Sequence, residues 1–377
     1  MDCCIPGPIQ HRLHQLRALL RERHLNALLL SDNKNIYYYS GFAGDDSFLL
    51  VGARQTWLLS DGRFIAQAAD EAPEAEFVCK QTGQSHFALL LQICREQQIQ
   101  TLGFEGDNFT YSQWQNLQKQ LDEYNDRPEN LTITLQEAGA LPLQPRLCKD
   151  AGEQLALQKC GEIADKTLID IMPLLAVGIS ERELAWALEQ AMHENGGQGP
   201  AFPTIVAAGP NSAKPHAIPS DYRLQEGDFV TLDFGAKYMH YCGDCTRTFI
   251  IGQPRPEQLA AYQLVKQAQE QALAQIKPGM TAEQADKLAR DIIAEGGLGE
   301  YFSHSLGHGV GLNIHEAPTL RAGSDVVLQP GQIVTVEPGV YLPEAGFGLR
   351  IEDSCLVTEK GLMPLTNFPK KPEIINV

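Results

Sequence analysis

Two aspartates in one strand-forming stretch are the first residues whose type and spacing suggest chemistry. Thr231 and Asp233 alternate with apolar residues, which predicts a β-strand with both side chains on one face. The β-branched and aromatic segment 245–251 predicts a returning strand, so a hairpin over 236–240 would bring Asp233 beside Asp244. Buried carboxylates are costly unless a cation or metal ion pairs with them. Taken alone, the two aspartates could equally be solvated turn residues.

A second pair of acidic residues repeats this arrangement near the end of the chain. Glu337 closes one predicted strand, a connection with Gly and Pro follows, and Glu352 lies on the next predicted strand. Between the two hairpins, three histidines stand within twelve residues: His304, His308 and His315. Four carboxylates and an imidazole from separate strands match what a pair of hard or borderline divalent cations needs. The carboxylate-rich set favours manganese over zinc, although cobalt, iron or zinc could also bind.

Such a centre could support hydrolysis through a tetrahedral intermediate. Two cations roughly 3.5–4 Å apart would lower the pKa of a shared water and hold the oxygens of a tetrahedral intermediate. Glu337 could take the proton of that water and pass it to the leaving amine. The spacing of His315 predicts that it donates a hydrogen bond to the developing oxyanion. Glu316 beside it does not indicate a zinc-protease helix, because HExxH requires a second histidine four residues after His315 and position 319 is threonine.

The composition fits an acidic enzyme of two domains. At 377 residues the chain is too long for one ordinary domain, and 30 Lys+Arg against 47 Asp+Glu give a net charge of -17. This balance argues against a nucleic-acid-binding or anionic-membrane surface. No apolar run approaches the roughly 18 residues of a membrane-spanning helix, and the N-terminal residues lack the basic and apolar regions of a signal peptide. We therefore expect a cytoplasmic protein whose nine cysteines are reduced.

Sequence periodicity divides the chain into two domains and a linker. Residues 1–137 alternate predicted helices and strands, as in an α/β domain, whereas 151–377 is predicted to be an α+β catalytic domain with a strand-rich centre. The weakly patterned stretch 138–150, with two prolines, is predicted to be the linker. In the second domain, Ser180 followed by Glu183 predicts a capped helix. Thr281 predicts another in the same way.

Two features of the N-terminal domain are predicted to be structural. The aromatic run Tyr37–Tyr39 is expected to pack in a strand rather than form a binding platform. Glu105 and Asp107 are expected to be solvated by water in a loop.

Both domains resemble known families through motifs that stand in family order. The second domain resembles the pita-bread metallopeptidases, and above all their Xaa-Pro aminopeptidase and prolidase branch, through FPTIVAAGPNSAKPHA, LDFGAKYMHYCGDCTRTF, HSLGHGVGLNIHEAP, TVEPGVY and GLRIED. The first domain resembles the creatinase-type N-terminal domain through NIYYYSGF and SDGRF. The resemblance covers nearly the whole chain, and it implies a metal-dependent exopeptidase that acts on proline-containing peptides.

The resemblance also implies a role for individual residues. It implies that two metal ions are held by five side chains, Asp233, Asp244, His308, Glu337 and Glu352, and that a hydroxide bridging the ions is the nucleophile. It implies substrate-contacting or catalytic roles for His216, His304 and His315, and it implies that Arg350 supports the ligand carboxylates. His304 could instead serve only as a structural hydrogen-bonding residue.

The preferred function is that of an Xaa-Pro aminopeptidase, which cleaves the N-terminal Xaa-Pro bond of peptides longer than two residues. The main alternative is an Xaa-Pro dipeptidase, or prolidase. Prolidases that resemble this chain often place an arginine four residues after the counterpart of His315, where it can grip the carboxylate of the dipeptide. Here that position is Thr319, and Arg321 lies two residues further on.

Creatinases, non-catalytic scaffolds and methionine aminopeptidases share the same fold. Creatinase works without metal, and some relatives are scaffolds that have lost the ligands; five intact ligand positions argue against both. Methionine aminopeptidase has the ligands but lacks this N-terminal domain. The resemblance also implies a homodimer or a dimer of dimers, in which the N-terminal domain contributes to assembly and to the substrate cleft of the partner.

Overall fold

The computed structural model describes residues 9–128, 131–370 and 374–375. The chain divides into two compact units, Met1–Arg146 and Leu147–Val377. Within the predicted linker 138–150, Leu141–Arg146 forms a 3-10 helix that belongs to the first unit. Within the described residues, no helix combines the length and the apolar content that crossing a bilayer requires.

The N-terminal unit is built on one mixed sheet. Its strands are β1 (Ala27–Leu30), β2 (Phe48–Gly52), β3 (Thr56–Ser60), β4 (Glu76–Cys79), β5 (Thr101–Phe104) and β6 (Thr134–Glu137), in the order β4-β3-β2-β1-β5-β6. Strand β2 is antiparallel to both neighbours, and the other pairings are parallel. The helices are α1 (Ile9–Glu22), α2 (Asn33–Ser40), α3 (Ile65–Glu71), α4 (His86–Glu96) and α5 (Tyr111–Asn125). The predicted α/β class of this unit is confirmed.

The prediction that Tyr37–Tyr39 lie in a strand is wrong, because they lie in α2. Asp32 caps the first turn by accepting a hydrogen bond from the backbone N–H of Lys34. Gly41 ends the helix in the left-handed conformation, with φ of 85°. The tyrosines are buried, and Tyr39 Oη donates to the carbonyl of Pro142 at 2.7 Å. The two caps outweigh the strand propensity of the aromatic residues.

The prediction for Glu105 is also wrong, because its carboxylate is a buried anchor rather than a solvated loop group. Glu105 is 6% exposed and accepts hydrogen bonds from the N–H groups of Ser31 (2.5 Å) and Asp32 (2.8 Å). The amide of Asn35 donates to its other oxygen at 2.5 Å. Burial raises the pKa of Glu105, and these hydrogen bonds oppose the rise. Asp107 is exposed, as predicted.

In its described residues, the C-terminal unit holds four long helices and several sheets, in which all strand pairings but one are antiparallel. The helices are α6 (Ala151–Ile171), α7 (Glu181–Glu194), α8 (Pro256–Gln275) and α9 (Ala282–Glu295). The predicted caps at Ser180 and Thr281 are confirmed, and each forms a full capping box. The first sheet has the order β19-β11-β8-β7 and contains β7 (Ile205–Ala208), β8 (Phe229–Phe234), β11 (Cys245–Ile251) and β19 (Ile374–Ile375). Between β8 and β11 stands the small hairpin of β9 (Lys237–Tyr238) and β10 (Tyr241–Cys242).

The second large sheet has the order β13-β12-β14-β17-β18. Its strands are β12 (Gly307–Gly309), β13 (Glu316–Leu320), β14 (Ile333–Val336), β17 (Asp353–Thr358) and β18 (Gly361–Pro364). A hairpin of β15 (Gly339–Leu342) and β16 (Phe347–Arg350) stands between β14 and β17. The α+β class predicted for this unit is confirmed.

Helices cover both sheets from outside and leave the strand ends to form a site. One apolar cluster joins residues of α8 and α9, such as Val265 and Ala285, with Val334 of β14. A second cluster joins residues of α6 and α7, such as Leu188, with Val230 of β8. The two clusters fix the strands that carry the acidic residues.

Candidate metal centre

The register of β8 and β11 brings the two aspartates onto one face. The strands are antiparallel, and Asp233 lies opposite Thr246. Asp244 precedes Thr246 by two residues, and residues two apart in an extended chain point to the same side. Diagonal neighbours of this kind lie within reach of each other. Both aspartates are buried.

The second pair of carboxylates lies at one end of β14 and β17. These strands are antiparallel, with Val336 opposite Asp353. Glu337 follows β14 directly and Glu352 precedes β17 directly, so the two glutamates stand side by side. Glu352 is 1% exposed and accepts a hydrogen bond of 2.6 Å from Thr246 Oγ1, the residue opposite Asp233.

His308 on β12 joins the two pairs. Its Nε2 atom lies 3.2 Å from Glu337 Oε1 and 3.5 Å from Asp244 Oδ2. Its Nδ1 atom faces the carbonyl of Gly309 at 3.1 Å, which fixes the ring and leaves Nε2 directed at the carboxylates. Ligating atoms of Asp244, His308 and Glu352 all lie within 4.8 Å of one another.

The electrostatics of this cluster fit bound cations. Within the described part of the chain, Asp233 Oδ1 and Glu352 Oε1 are buried and have no hydrogen-bond partner. Burial, and then the neighbouring carboxylates, raise the pKa of Asp244 and Glu352 well above the usual range. Buried oxygens that lack donors and carboxylates that repel one another are what a divalent cation would satisfy. The donor set of four carboxylates and one imidazole therefore fits the predicted metal centre.

Arg350, for which the resemblance implies a role in supporting the ligand carboxylates, contacts four groups. Its Nη2 atom forms an ion pair with Asp233, and its Nε atom donates to Thr246 Oγ1 at 3.2 Å. Its Nη1 atom donates to Tyr341 Oη at 2.5 Å and to the carbonyl of Pro215 at 3.3 Å. Arg350 therefore connects Asp233, a predicted ligand, to Pro215, the residue that precedes His216.

Tyr341 is a site residue to which sequence reasoning assigned no role, although it stands in the TVEPGVY motif. Its hydroxyl lies 3.1 Å from His304 Nε2, and His304 Nδ1 donates to the carbonyl of Ser305 at 2.8 Å. Burial raises the pKa of Tyr341 to about 12. Burial lowers the pKa of His304, so that the neutral ring accepts the tyrosine proton at Nε2. His304 is thus hydrogen-bonded on both nitrogens.

His315 and His216 are the exposed imidazoles of the site. The ring of His315 lies 4.4 Å from that of His308, centroid to centroid. Partial burial, and then the charge of His308, lower the pKa of His315, so this ring is neutral near pH 7. Thr319 lies opposite His308 on β13 and is exposed, as is Arg321.

Two buried ion pairs near the site have no local sequence signal. Lys149 Nζ lies 3.3 Å from Glu316 Oε2, so Glu316 is held by a lysine far away in the sequence. Behind Glu352, Arg247 donates to Asp353 Oδ1 at 2.8 Å and to the carbonyl of Glu352 at 2.5 Å. The first pair holds the chain next to His315, and the second holds it next to the predicted ligand Glu352.

Comparisons with known proteins identify the family of each domain. Residues 156–359 match metallopeptidase family M24, and residues 12–133 match the creatinase/prolidase N-terminal domain. A Xaa-Pro dipeptidase of Pyrococcus furiosus is 36% identical over 371 residues, which are 96% of this chain and 99% of that protein.

Solved structures give the same result for the whole chain. A Xaa-Pro dipeptidase from Bacillus anthracis is 36% identical with a TM-score of 0.91, and the match covers 98% of this chain and 100% of that one. An X-Pro aminopeptidase from Thermotoga maritima is 33% identical with a TM-score of 0.86, and covers 97% and 99%. The resemblance predicted from the motifs is confirmed: the chain belongs to metallopeptidase family M24 and carries a creatinase/prolidase N-terminal domain.

Proposed function

We propose that the protein is an Xaa-Pro dipeptidase, which hydrolyses the bond between the two residues of an Xaa-Pro dipeptide. The observation that carries this proposal is the full-length similarity, at 36% and 35% identity, to proteins of two Pyrococcus species that are named Xaa-Pro dipeptidases. The sequence motifs favoured the aminopeptidase, and the relatives support the dipeptidase better.

We propose that five side chains hold two divalent cations, with manganese favoured: Asp233, Asp244, His308, Glu337 and Glu352. The cations, when bound, would acidify a water molecule and polarise the scissile carbonyl. The support is the clustering of Asp244, His308 and Glu352, the 3.2 Å contact of Glu337 with His308, the two buried oxygens without hydrogen-bond donors, and membership of a metallopeptidase family.

The proton transfers fall to Glu337 in this proposal. Burial raises the pKa of its carboxyl, but the hydrogen bond and charge of His308 lower it more, to about 2. That shift belongs to the metal-free site; bound cations would also favour the ionised carboxylate, which can accept a proton from the attacking water. The leaving proline nitrogen lacks an N–H and must gain a proton, which the same carboxyl can return.

We propose that the exposed imidazoles contact the substrate. Neutral His315, beside His308, can donate its N–H to the oxyanion that develops on the scissile carbonyl. His216 follows Pro215, whose carbonyl is held by Arg350, and we propose that it contacts the peptide. His304, Tyr341 and Arg350 form a hydrogen-bonded chain that ends at Asp233 and keeps this ligand oriented.

One observation favours the second candidate, the Xaa-Pro aminopeptidase. Thr319 stands opposite His308 where the resembling prolidases often carry an arginine. Without a cation there, the terminal carboxylate of a dipeptide would face the carboxylates of the site, whereas a longer peptide carries that charge away. Arg321 is exposed and two residues further on, and the dipeptidase proposal requires it to pair with the dipeptide carboxylate.

The test compares kcat/KM for Ala-Pro and Ala-Pro-Ala with the Mn²⁺-loaded protein. We expect the dipeptide to be preferred at least about tenfold, the equivalent of one charge-assisted contact. We expect Arg321→Ala to abolish that preference while the tripeptide rate stays constant. Preference for Ala-Pro-Ala would reverse the assignment in favour of the aminopeptidase, and cleavage of neither peptide would overturn both.

Two further sequence-based proposals concern assembly and location. We propose a homodimer or dimer of dimers on the strength of the resemblance, and a cytoplasmic location on the composition of the chain. Light scattering at micromolar concentration tests the first, and a fully active monomer would contradict it.

A further inference from the structure

A buried glutamate at the start of α7 is neither a predicted metal ligand nor a substrate-contacting residue. Glu181 is the first residue of the helix and is 0% exposed. In the described part of the chain, no lysine, arginine or histidine forms an ion pair with it. A buried carboxylate without a cation must be stabilised by hydrogen bonds.

The hydrogen bonds to its carboxylate come from one loop and its two ends. Glu181 Oε1 accepts from the N–H of Ala208 at 2.6 Å and from Asn211 Nδ2 at 3.0 Å. Glu181 Oε2 accepts from Asn211 Nδ2 at 2.9 Å, and from the N–H and hydroxyl of Ser220 at 2.8 and 2.6 Å. The carboxylate therefore joins the two ends of the segment 209–219, which we call the His216 loop.

The His216 loop is also held at two points nearer its tip. Ser212 Oγ accepts a hydrogen bond of 3.0 Å from the N–H of Gly348 on β16. Arg350, two residues further along β16, donates to the carbonyl of Pro215. The tip is thus tied to the strand whose arginine pairs with Asp233. The two ends of the loop are instead joined by the buried charge of Glu181.

Capping of α7 does not account for this glutamate. The capping box is complete without it, because Ser180 and Glu183 satisfy each other's backbone N–H groups. A negative charge in the first turn does favour the helix dipole, but an exposed side chain would serve as well. The carboxylate of Glu181 instead accepts hydrogen bonds from β7 and from the segment that follows it.

We propose that Glu181 is a positioning residue that fixes the His216 loop beside the metal centre. The carboxylate holds the loop in one conformation before substrate binds. His216 can then contact the substrate without the entropic cost of ordering the loop on binding. The catalytic consequence rests on the proposed peptidase function, whereas the anchoring of the loop does not. Neither Glu181 nor any residue of the loop is a proposed metal ligand, so metal binding should not depend on it.

The experiment compares Glu181→Gln with Glu183→Gln in the full chain. Both are glutamates in the first turn of α7, but the acceptor contacts of Glu183 are with Ser180 and Arg223. In Glu181→Gln we expect the amides of 209–220 to exchange hydrogen at least about tenfold faster. We expect KM for Ala-Pro to rise at least about tenfold, with kcat changing less and Mn²⁺ stoichiometry unchanged. Glu183→Gln should change none of these.

Several outcomes would overturn the proposal. Unchanged exchange over 209–220 would show that Glu181 does not anchor the loop, and a parallel loss of Mn²⁺ would show that it supports the metal centre instead. If Glu181→Gln does not fold, Ser220→Ala removes one donor to the same carboxylate. Faster exchange confined to the loop is then expected, and unchanged exchange contradicts the anchor. A wild-type protein that cleaves no Xaa-Pro peptide would refute the proposed function, while the exchange comparison would still decide the role of Glu181.

Discussion

Replacing Arg247 by methionine removes the guanidinium that lies behind Glu352. Arg247 is 2% exposed and donates to the carbonyls of Glu352 at 2.5 Å and Phe368 at 2.9 Å. Its ion pair with Asp353 is also buried. Burial alone would raise the pKa of the Asp353 carboxyl, but the charges of Arg247 and then Lys370 outweigh burial and lower that pKa to about 2. Methionine fills much of the same volume and donates nothing.

The expected loss follows from the burial of the pair. Removing one partner of a buried ion pair costs about 3–5 kcal/mol, and since Lys370 stays beside Asp353 we expect the lower end of that range. For a unit of roughly 230 residues, about 3 kcal/mol corresponds to a fall in Tm of ~6–12 °C. Because the backbone of Glu352 also loses a donor, we expect metal affinity to fall about 10–100-fold.

Calorimetry of the chelated protein measures the first effect, and titration with Mn²⁺ measures the second. Arg182→Met is the control, because its ion pair with Asp221 is largely exposed and should contribute less than about 1 kcal/mol. An Arg247→Met protein with wild-type Tm would refute the argument from burial. A fall in Tm with unchanged metal affinity would show that the network supports the fold and not Glu352.

Three other perturbations test separate parts of the structure. Burial raises the pKa of Asp244 and Glu352 in the folded, metal-free protein. Their protonated forms therefore stabilise the fold fully below the unfolded pKa of about 4, and this stabilisation is lost as pH rises through the folded pKa values. Calorimetry should give a higher Tm at about pH 5 than at about pH 8, and the reverse order contradicts this. His315→Ala should lower kcat by about 10²–10³ with Mn²⁺ stoichiometry unchanged, and equal losses would make His315 a ligand. Glu105→Gln should destabilise the N-terminal unit by about 1–3 kcal/mol in urea unfolding, whereas Asp107→Asn should not, and equal effects would refute the anchor assigned to Glu105.

The parts of the fold that sequence could predict are those with local signals. Ser180 with Glu183 and Thr281 with Gln284 form capping boxes whose members stand three residues apart. Alternation around Asp233 predicted β8, and antiparallel pairing with the next strand then brought Asp244 to the same face. The same local reasoning failed at Tyr37–Tyr39, because caps at both ends outweigh strand propensity.

Contacts between distant residues could not be predicted in this way. Lys149 and Glu316 are 167 residues apart, and Glu181 meets Ser220 across 39 residues. Glu105 lies in a sequence that is typical of a loop. Its carboxylate accepts hydrogen bonds from the backbone N–H of Ser31 and the side-chain amide of Asn35 only because the fold brings these distant residues close to it. Such partners depend on how strands and helices pack, since no periodicity or spacing relates them.

Calorimetric titration of the chelated protein with Mn²⁺ decides whether the buried carboxylates and His308 form a metal centre. Two ions should bind per chain, and Asp244→Asn and Glu352→Gln should each lose binding while keeping the wild-type circular dichroism spectrum. Saturable binding that is identical in wild type and both variants, or no binding at all, would contradict the assignment of these side chains as ligands.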